Sequence, residues 1–319
     1  MTTNKPNIVF MGTPEFAVSS LKILLDNDYN IKTVITAPDK PAGRGKKIQF
    51  SDVKKFALEN NLKILQPNNL KAENFLNELK TLNADLFIVV AFRMLPRQVW
   101  KLPKLGTFNL HASLLPDYRG AAPINHAIIN GDTKTGVTTF FINEEIDKGS
   151  IIFQENVEIK PKDNAGDLHD KLMYIGAELV LKTVKAIENN NIQVHKQEKF
   201  NNNNLHPAPK IYKEFCRIDW NMPAEKINNL IRGLSPYPAA WTILNCPENV
   251  QVKLYETSII IEGHQHKIGT IITDNKTYLK VAVKNGFITV SELQIQGKKR
   301  MKVKELLNGY KFTNNDAFE

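Results

Sequence analysis

The sequence predicts an α/β protein: a doubly wound, mostly parallel sheet followed by a smaller antiparallel β-barrel. Two observations predict the sheet. Short apolar runs alternate with helix-like segments, and one run, Asp85–Ala91 (DLFIVVA), has the continuous apolar character of a parallel strand covered on both faces. A third observation predicts the barrel, because the chain beyond residue 209 breaks into short alternating runs separated by turn residues.

The elements follow in order. Asn7–Met11 (NIVFM), bounded by Pro6 and Gly12, is the first strand. Thr13-Pro14-Glu15 starts a helix, with Thr13 as cap, Pro14 at the first position and Glu15 near the positive end of the dipole. Tyr29–Ala37 is the second strand, Asp52–Asn60 a helix, Leu62–Leu65 a short strand and Leu70–Leu82 a helix. Asp85–Ala91 and Thr107–His111 complete the first set of strands. Gly136–Ile142 and Gly149–Val157 are strands around a turn-like segment, Asn143–Lys148. Ala165–Glu188 is one long helix, because Leu168, Leu172, Ile175, Leu179 and Val180 recur on one face. Asparagine clusters and His206-Pro-Ala-Pro209 make residues 191–209 a linker between domains 1–190 and 210–319. In the second domain Pro223–Leu234 is helical. Trp241–Leu244, Gln251–Ile261, Lys267–Thr273, Tyr278–Val283 and Phe287–Gln294 are strands.

Composition narrows the function. The chain has 319 residues, 42% apolar and 24% charged, which excludes a disordered chain, a fibre and a multi-span membrane protein. No stretch approaches the ~18 apolar residues of a membrane span, and the run Ile8–Met11 is too short for a signal-peptide core. A cytoplasmic location and no membrane partner are expected. Cys216 and Cys246 are too few for a disulfide framework or a cysteine-based zinc site, so no metal is expected. Lysine and arginine number 42 against 33 acids, a formal charge of +9, which is compatible with a polyanionic partner. Residues 209–319 carry 16 against 11 and the first 208 residues 26 against 22, so the tail is the more basic part per residue.

The first strand–helix turn, Gly12-Thr-Pro-Glu15, lacks the three glycines of a dinucleotide fingerprint. This leaves a Rossmann-like scaffold without its usual ligand. The densest polar segment is Asn109–Pro123. Asn109 and His111 stand two apart on a strand, so their side chains leave the same face, at the carboxyl end where open α/β sheets bind ligands. They read either as a buried pair with satisfied hydrogen bonds or as a working pair. Asp147 reads either as a turn residue capping its own backbone or as the third member of an amide–imidazole–carboxylate set. Such a set suits addition to a carbonyl: amide and imidazolium donate to the developing oxyanion, and the carboxylate supports the imidazole. No serine or cysteine is placed as a nucleophile, so a substrate amine is the expected one. His126 is expected to face the cleft or solvent. Two basic clusters, Pro38–Lys47 (with Lys40, Arg44, Lys46 and Lys47) and Lys298–Lys304 (with Lys298, Lys299 and Arg300), read either as solvated charge or as phosphate contacts, the second extended by Lys210, Lys213 and Arg217.

Several segments together carry a resemblance: Met11-Gly-Thr-Pro-Glu-Phe-Ala17, Pro38-Asp-Lys-Pro-Ala-Gly-Arg-Gly-Lys-Lys47, Asn109-Leu-His-Ala-Ser-Leu-Leu-Pro116, Tyr118-Arg-Gly-Ala-Ala-Pro-Ile124, Asp147-Lys-Gly149, Arg217-Ile-Asp-Trp220 and Pro236-Tyr-Pro238. Over essentially its whole length the chain resembles the folate-dependent formyltransferases. The basic loop and the tail narrow the match to the methionyl-tRNA formyltransferase group. The resemblance implies transfer of a formyl group from 10-formyltetrahydrofolate to the amino group of methionyl initiator tRNA, by a monomer. It implies Asn109, His111 and Asp147 as the catalytic set. Phe92, Arg93, Met94 and Leu95, with Ser113, Leu114, Leu115 and Pro116, would line the folate pocket. Lys40, Arg44, Lys46, Lys47, Lys210, Lys298, Lys299 and Arg300 would contact the tRNA, and the tail would be an OB-like barrel. Ala112, where glycine is common, and Arg93 depart from the family pattern.

Overall fold

The first apolar run becomes β1 (Ile8–Gly12), with every side chain buried. A tight turn carries the chain into α1 (Glu15–Asp26), where a Cβ on Gly12 would lie 2.6 Å from that of Ala17 and 3.0 Å from the Val90 carbonyl oxygen. Pro14, in extended conformation, is the capping residue and the helix begins at Glu15, so the expected Thr13 cap and helical Pro14 are not formed. The structure, a computed structural model, describes residues 5–42, 47–197, 205–246, 249–313 and 315–319.

The chain divides into two interleaved compact units. The first comprises Met1–Gly120, Thr135–Val157 and His169–Pro207. After α1 come β2 (Ile31–Ile35), β3 (Lys40–Ala42), β4 (Lys47–Gln49), α2 (Asp52–Glu59), β5 (Ile64–Leu65), α3 (Glu73–Thr81), β6 (Leu86–Val90), α4 (Arg97–Trp100) and β7 (Thr107–His111). Then follow α5 (Pro123–Asn130), β8 (Lys134–Phe141), β9 (Ile151–Glu158) and α6 (Ala165–Glu188). The sheet order is β5-β2-β1-β6-β7-β8-β9. Pairing is parallel from β5 to β7, and β8 runs antiparallel to β7. All of β6 is buried, as its unbroken apolar character requires in a sheet with both faces covered. Val9, Met11, Phe87 and Val89 from the two central strands pack with Phe75 and Leu79 of α3. α3 starts later than expected because Asn69–Ala72 forms a turn, with the amides of Lys71 and Ala72 bonded to Asn69.

The basic stretch after β2, read from sequence as a loop, contains paired strands, β3 running antiparallel to β4 as a hairpin. Arg44 and Lys46 lie outside the described residues. The root of the hairpin is braced: Lys54 donates to Asp39 and Gln66, and Gln66 donates to Asp39 and to the Ala37 carbonyl.

The second unit comprises Ala121–Lys134, Glu158–Leu168 and Ala208–Glu319, so α5 and the start of α6 belong with the tail. Its later elements are α7 (Ala224–Leu234), β10 (Ala240–Asn245), β11 (Val250–Ile261), β12 (Ile271–Thr273), β13 (Leu279–Val283), β14 (Gly286–Ile295), β15 (Met301–Lys302), α8 (Val303–Leu307) and β16 (Ala317–Phe318). The antiparallel order is β12-β13-β14-β11-β10-β16, with β15 beside β14. The Phe318 amide bonds to the Gly269 carbonyl at 2.9 Å and Thr270 bridges to Ala317, which brings the first and last strands together into a nearly closed barrel. β12 is shorter than expected because Lys267–Thr270 forms a turn through Gly269 at φ +85. α5 packs on α7, where the Asn125 amide donates to the Gly233 carbonyl. His126 is buried rather than facing cleft or solvent, and its Nε2 donates to the Pro209 carbonyl at 3.0 Å.

The expected linker is anchored at a few points where it is described. His195 bridges to Ile151, while Gln197 and Ala208 are buried. Most of the other described residues of the stretch are exposed, as its asparagine and proline content suggests.

Candidate active site

Strand β7 carries Asn109 and His111 on one face, and its hydrogen bonds to β6 and β8 hold both backbones. Asn109 is half-buried, and its carboxamide has no hydrogen-bond partner among the described residues. His111 is buried, and its Nε2 lies 2.9 Å from the Tyr118 carbonyl oxygen. A carbonyl only accepts, so Nε2 carries hydrogen and the Nδ1 edge alone remains for chemistry. Nδ1 lies 4.0 Å from Asp147 Oδ2. That is too long for a hydrogen bond and close enough for strong attraction to a proton taken up at Nδ1.

Asp147 is itself held. Its Oδ2 accepts the Gly120 amide at 3.0 Å, and its backbone is left-handed at φ +53. Gln197 donates from Nε2 to the carbonyls of Asp147 and Gly149, both at 2.8 Å, and its Oε1 accepts from Arg119. At Gly149 a Cβ would lie 1.6 Å from the Phe141 carbonyl oxygen, so only glycine lets this turn run so close to β8.

The segment after His111 shapes the loop. Ser113 donates to the Asp117 carbonyl, and the Leu115 amide donates to Thr138 Oγ1 at 3.1 Å. Ser113, Leu115 and Pro116 are buried in the body of the unit, while Leu114 is half-buried. After β6, the next strand, Phe92 is half-buried, Met94 is exposed and Leu95 packs in the core with Val9 and Met11. The Arg93 guanidinium donates to the carbonyls of Pro67 and Asn68, and burial lowers its pKa. The structure thus brings His111 and Asp147 together and sets the segments 91–95 and 112–116 after neighbouring strands. It directs the side chains of Ser113, Leu115 and Leu95 inward and ties that of Arg93 to residues 67–68.

Among the predicted basic residues, Lys40, Lys210, Lys298, Lys299 and Arg300 are exposed. Arg300 pairs with Glu292 and lies 4.2 Å from the Tyr255 ring centre. Lys210 lies over Tyr212 and Lys298 over Tyr310. Of Lys47 only the backbone, in β4, is described. Among the described residues no group of three or more histidine, cysteine, aspartate or glutamate side chains could hold a metal ion. No helix among them is long and apolar enough to cross a membrane.

Sequence reasoning missed Tyr118, Gly120 and Gln197 as partners of the site. The first two act through backbone groups, which leave no residue signature. Gln197 sits in a lysine- and asparagine-rich run that reads as solvated chain.

Comparison with known proteins adds the following. The family described as Formyl transferase matches residues 6–184, and Formyl transferase, C-terminal domain, matches residues 210–311. The methionyl-tRNA formyltransferase of Flavobacterium johnsoniae is 57% identical over 311 residues, covering 97% of this chain and 98% of the other. That of Bacteroides thetaiotaomicron is also 57% identical, over 310 residues and 96% of both chains. Among solved structures, the sugar 3N-formyl transferase WlaRD, crystallised in the presence of dTDP and 5-N-formyl-THF, has a TM-score of 0.63 at 23% identity, covering 93% of this chain and 100% of that one. HypX from Aquifex aeolicus in complex with tetrahydrofolic acid has a TM-score of 0.61 at 15% identity, covering 95% and 47%. At these identities the two structures speak for the fold alone.

Proposed function

The chain belongs to the formyl transferase family, and we propose that it transfers the formyl group of 10-formyltetrahydrofolate to the free amino group of methionyl initiator tRNA. The observation that carries the chemistry is an uncommitted carboxamide, Asn109, on the same strand face as a histidine–carboxylate pair at the carboxyl end of β7. The near full-length identity to methionyl-tRNA formyltransferases supports the substrate.

The donor set fits a folate co-substrate. A half-buried amide without a protein partner is suited to meet an outside oxygen, and the segments after β6 and β7 open at adjacent strand ends, where α/β sheets bind ligands. Phe92–Leu95 and Ser113–Pro116 would wall the pterin, chiefly through backbone groups and the half-buried side chains of Phe92 and Leu114. When bound, 10-formyltetrahydrofolate supplies a formyl group already activated on nitrogen.

The protein's own groups do the rest. Asn109 Nδ2 donates to the oxygen on which negative charge builds. His111, fixed by Tyr118, presents Nδ1, and Asp147 would balance a proton arriving there from the attacking amine, which would pass on to the departing folate nitrogen as its bond to the formyl carbon breaks. Gly120 holds the carboxylate in place. Since Nε2 is occupied, the imidazole serves the proton through one edge, and the carboxamide carries the oxyanion role. Lys40, Arg44, Lys46, Lys47, Lys210, Lys298, Lys299 and Arg300 would supply salt-sensitive phosphate contacts, with Arg300 weakened by its pairing to Glu292.

The test is a formylation assay with initiator methionyl-tRNA and 10-formyltetrahydrofolate, run beside uncharged and elongator tRNAs and small amino sugars. Formylation confined to the charged initiator is expected, and turnover of the amino sugars in preference to it would overturn the assignment. His111→Ala is expected to bind tRNA normally and lose formylation. Near-normal turnover by this variant would remove His111 from the mechanism.

A further inference from the structure

We propose that Gln197 is a positioning residue for Asp147, setting the carboxylate against His111 from outside the strand and loop that carry the catalytic set; this rests on the catalytic reading given above. Gln197 is buried, and all of its polar capacity is directed at two loops. Its two N–H groups go to the carbonyls of Asp147 and Gly149, 2.8 Å each. Its oxygen accepts Arg119 Nε at 3.1 Å and Nη2 at 2.5 Å. Arg119 immediately precedes Gly120, whose amide holds Asp147 Oδ2. Asp147 is therefore gripped twice, at its carboxylate by Gly120 and at its backbone by Gln197, and both grips return to the same loop.

The geometry explains why an amide is used. The Asp147 backbone is left-handed, a conformation that a non-glycine residue keeps only when its surroundings impose it. Two carbonyls on the same side of the turn need two donors, and the guanidinium needs an acceptor. Glutamine provides both in one side chain. A glutamate would keep the Arg119 contact but bring a carboxylate against two carbonyl oxygens. The loop that Gln197 joins also carries Tyr118, whose carbonyl fixes His111 Nε2, so one side chain ties together the supports of both catalytic groups.

The experiment is a double-mutant cycle of Gln197→Ala and Asp147→Asn, measured as steady-state and single-turnover formylation with thermal melts alongside. Gln197→Ala is expected to lower kcat about 10- to 100-fold while KM for both substrates stays within about twofold, because a misplaced carboxylate affects the chemical step rather than binding. In the Asp147→Asn background the same change is expected to cost nothing further, since its effect runs through that carboxylate. Gln197→Glu is expected to behave like Gln197→Ala. Losses that multiply, or a lowered melting temperature with unchanged kcat, would overturn the inference and leave a structural role. Should Gln197→Ala fail to fold, Arg119→Met replaces it, with a smaller kcat loss that again vanishes in Asp147→Asn. An Asp147→Asn enzyme with full turnover would instead overturn the catalytic reading itself.

Discussion

In the proposed mechanism the carboxamide of Asn109 and the Nδ1 edge of His111 divide the chemical work, and the division follows from one hydrogen bond. With Nε2 spent on Tyr118, the ring has a single edge to offer, and Asp147 faces it at 4.0 Å. On that proposal the oxyanion depends on Asn109. Asn109→Ala is expected to lower kcat by about 10² to 10³ with KM for the folate little changed, and steady-state kinetics within twofold of wild type would refute the role. The placement of these residues was legible beforehand, because a period of two on a strand puts residues 109 and 111 on one face, and the turn around Asp147 announces itself by composition. The supports were not legible. A carbonyl or an amide acts regardless of its side chain, and Gln197 is separated from its partners by dozens of residues of intervening chain.

At the scale of elements, the long apolar runs and the long helix were legible, and the short pieces were not. α6 matches the expected helix end to end, since its periodic apolar face spans many turns. α4, β15 and β16 are too short for any periodicity to register. The β3–β4 hairpin was hidden by the glycines and prolines of its sequence, although its root holds a definite arrangement in which Lys54 serves Asp39 and Gln66 and lies 4.0 Å from the Phe50 ring centre. Lys54→Met is expected to raise KM for methionyl-tRNA several-fold and leave KM for the folate unchanged, because it loosens the base of the basic hairpin and not the cleft. Equal changes in both constants would count against that role. A second turn is pinned by Asp274, whose carboxylate accepts the Thr277 hydroxyl and the amides of Lys276, Thr277 and Tyr278 and is therefore held well below the usual carboxylate range. A lowered folded-state pKa stabilises above the unfolded value and is lost as pH falls through the folded one. Asp274→Ala is expected to melt earlier than wild type at neutral pH, and urea titrations should show the difference beginning to shrink below about pH 4. A difference that grows in acid would contradict this.

At the scale of the whole molecule, the order of a doubly wound sheet followed by a barrel was legible from the change of period after residue 209. The interleaving was not, because α5 and the first turn of α6 precede the tail in sequence yet pack with it. Contacts of that kind depend on tertiary complementarity, which no local pattern records. The basic surface argues for an ionic-strength test: between about 50 and 200 mM salt, KM for methionyl-tRNA should rise at least about tenfold while KM for the folate stays nearly constant. A flat response to salt would detach the basic clusters from tRNA recognition.

The meeting of Phe318 with Gly269 and of Ala317 with Thr270 has a further effect. A sheet that curls round to grip its own first strand leaves little rim for a foreign strand to extend. A barrel closed in this way is guarded from strand-to-strand pairing with its own copies.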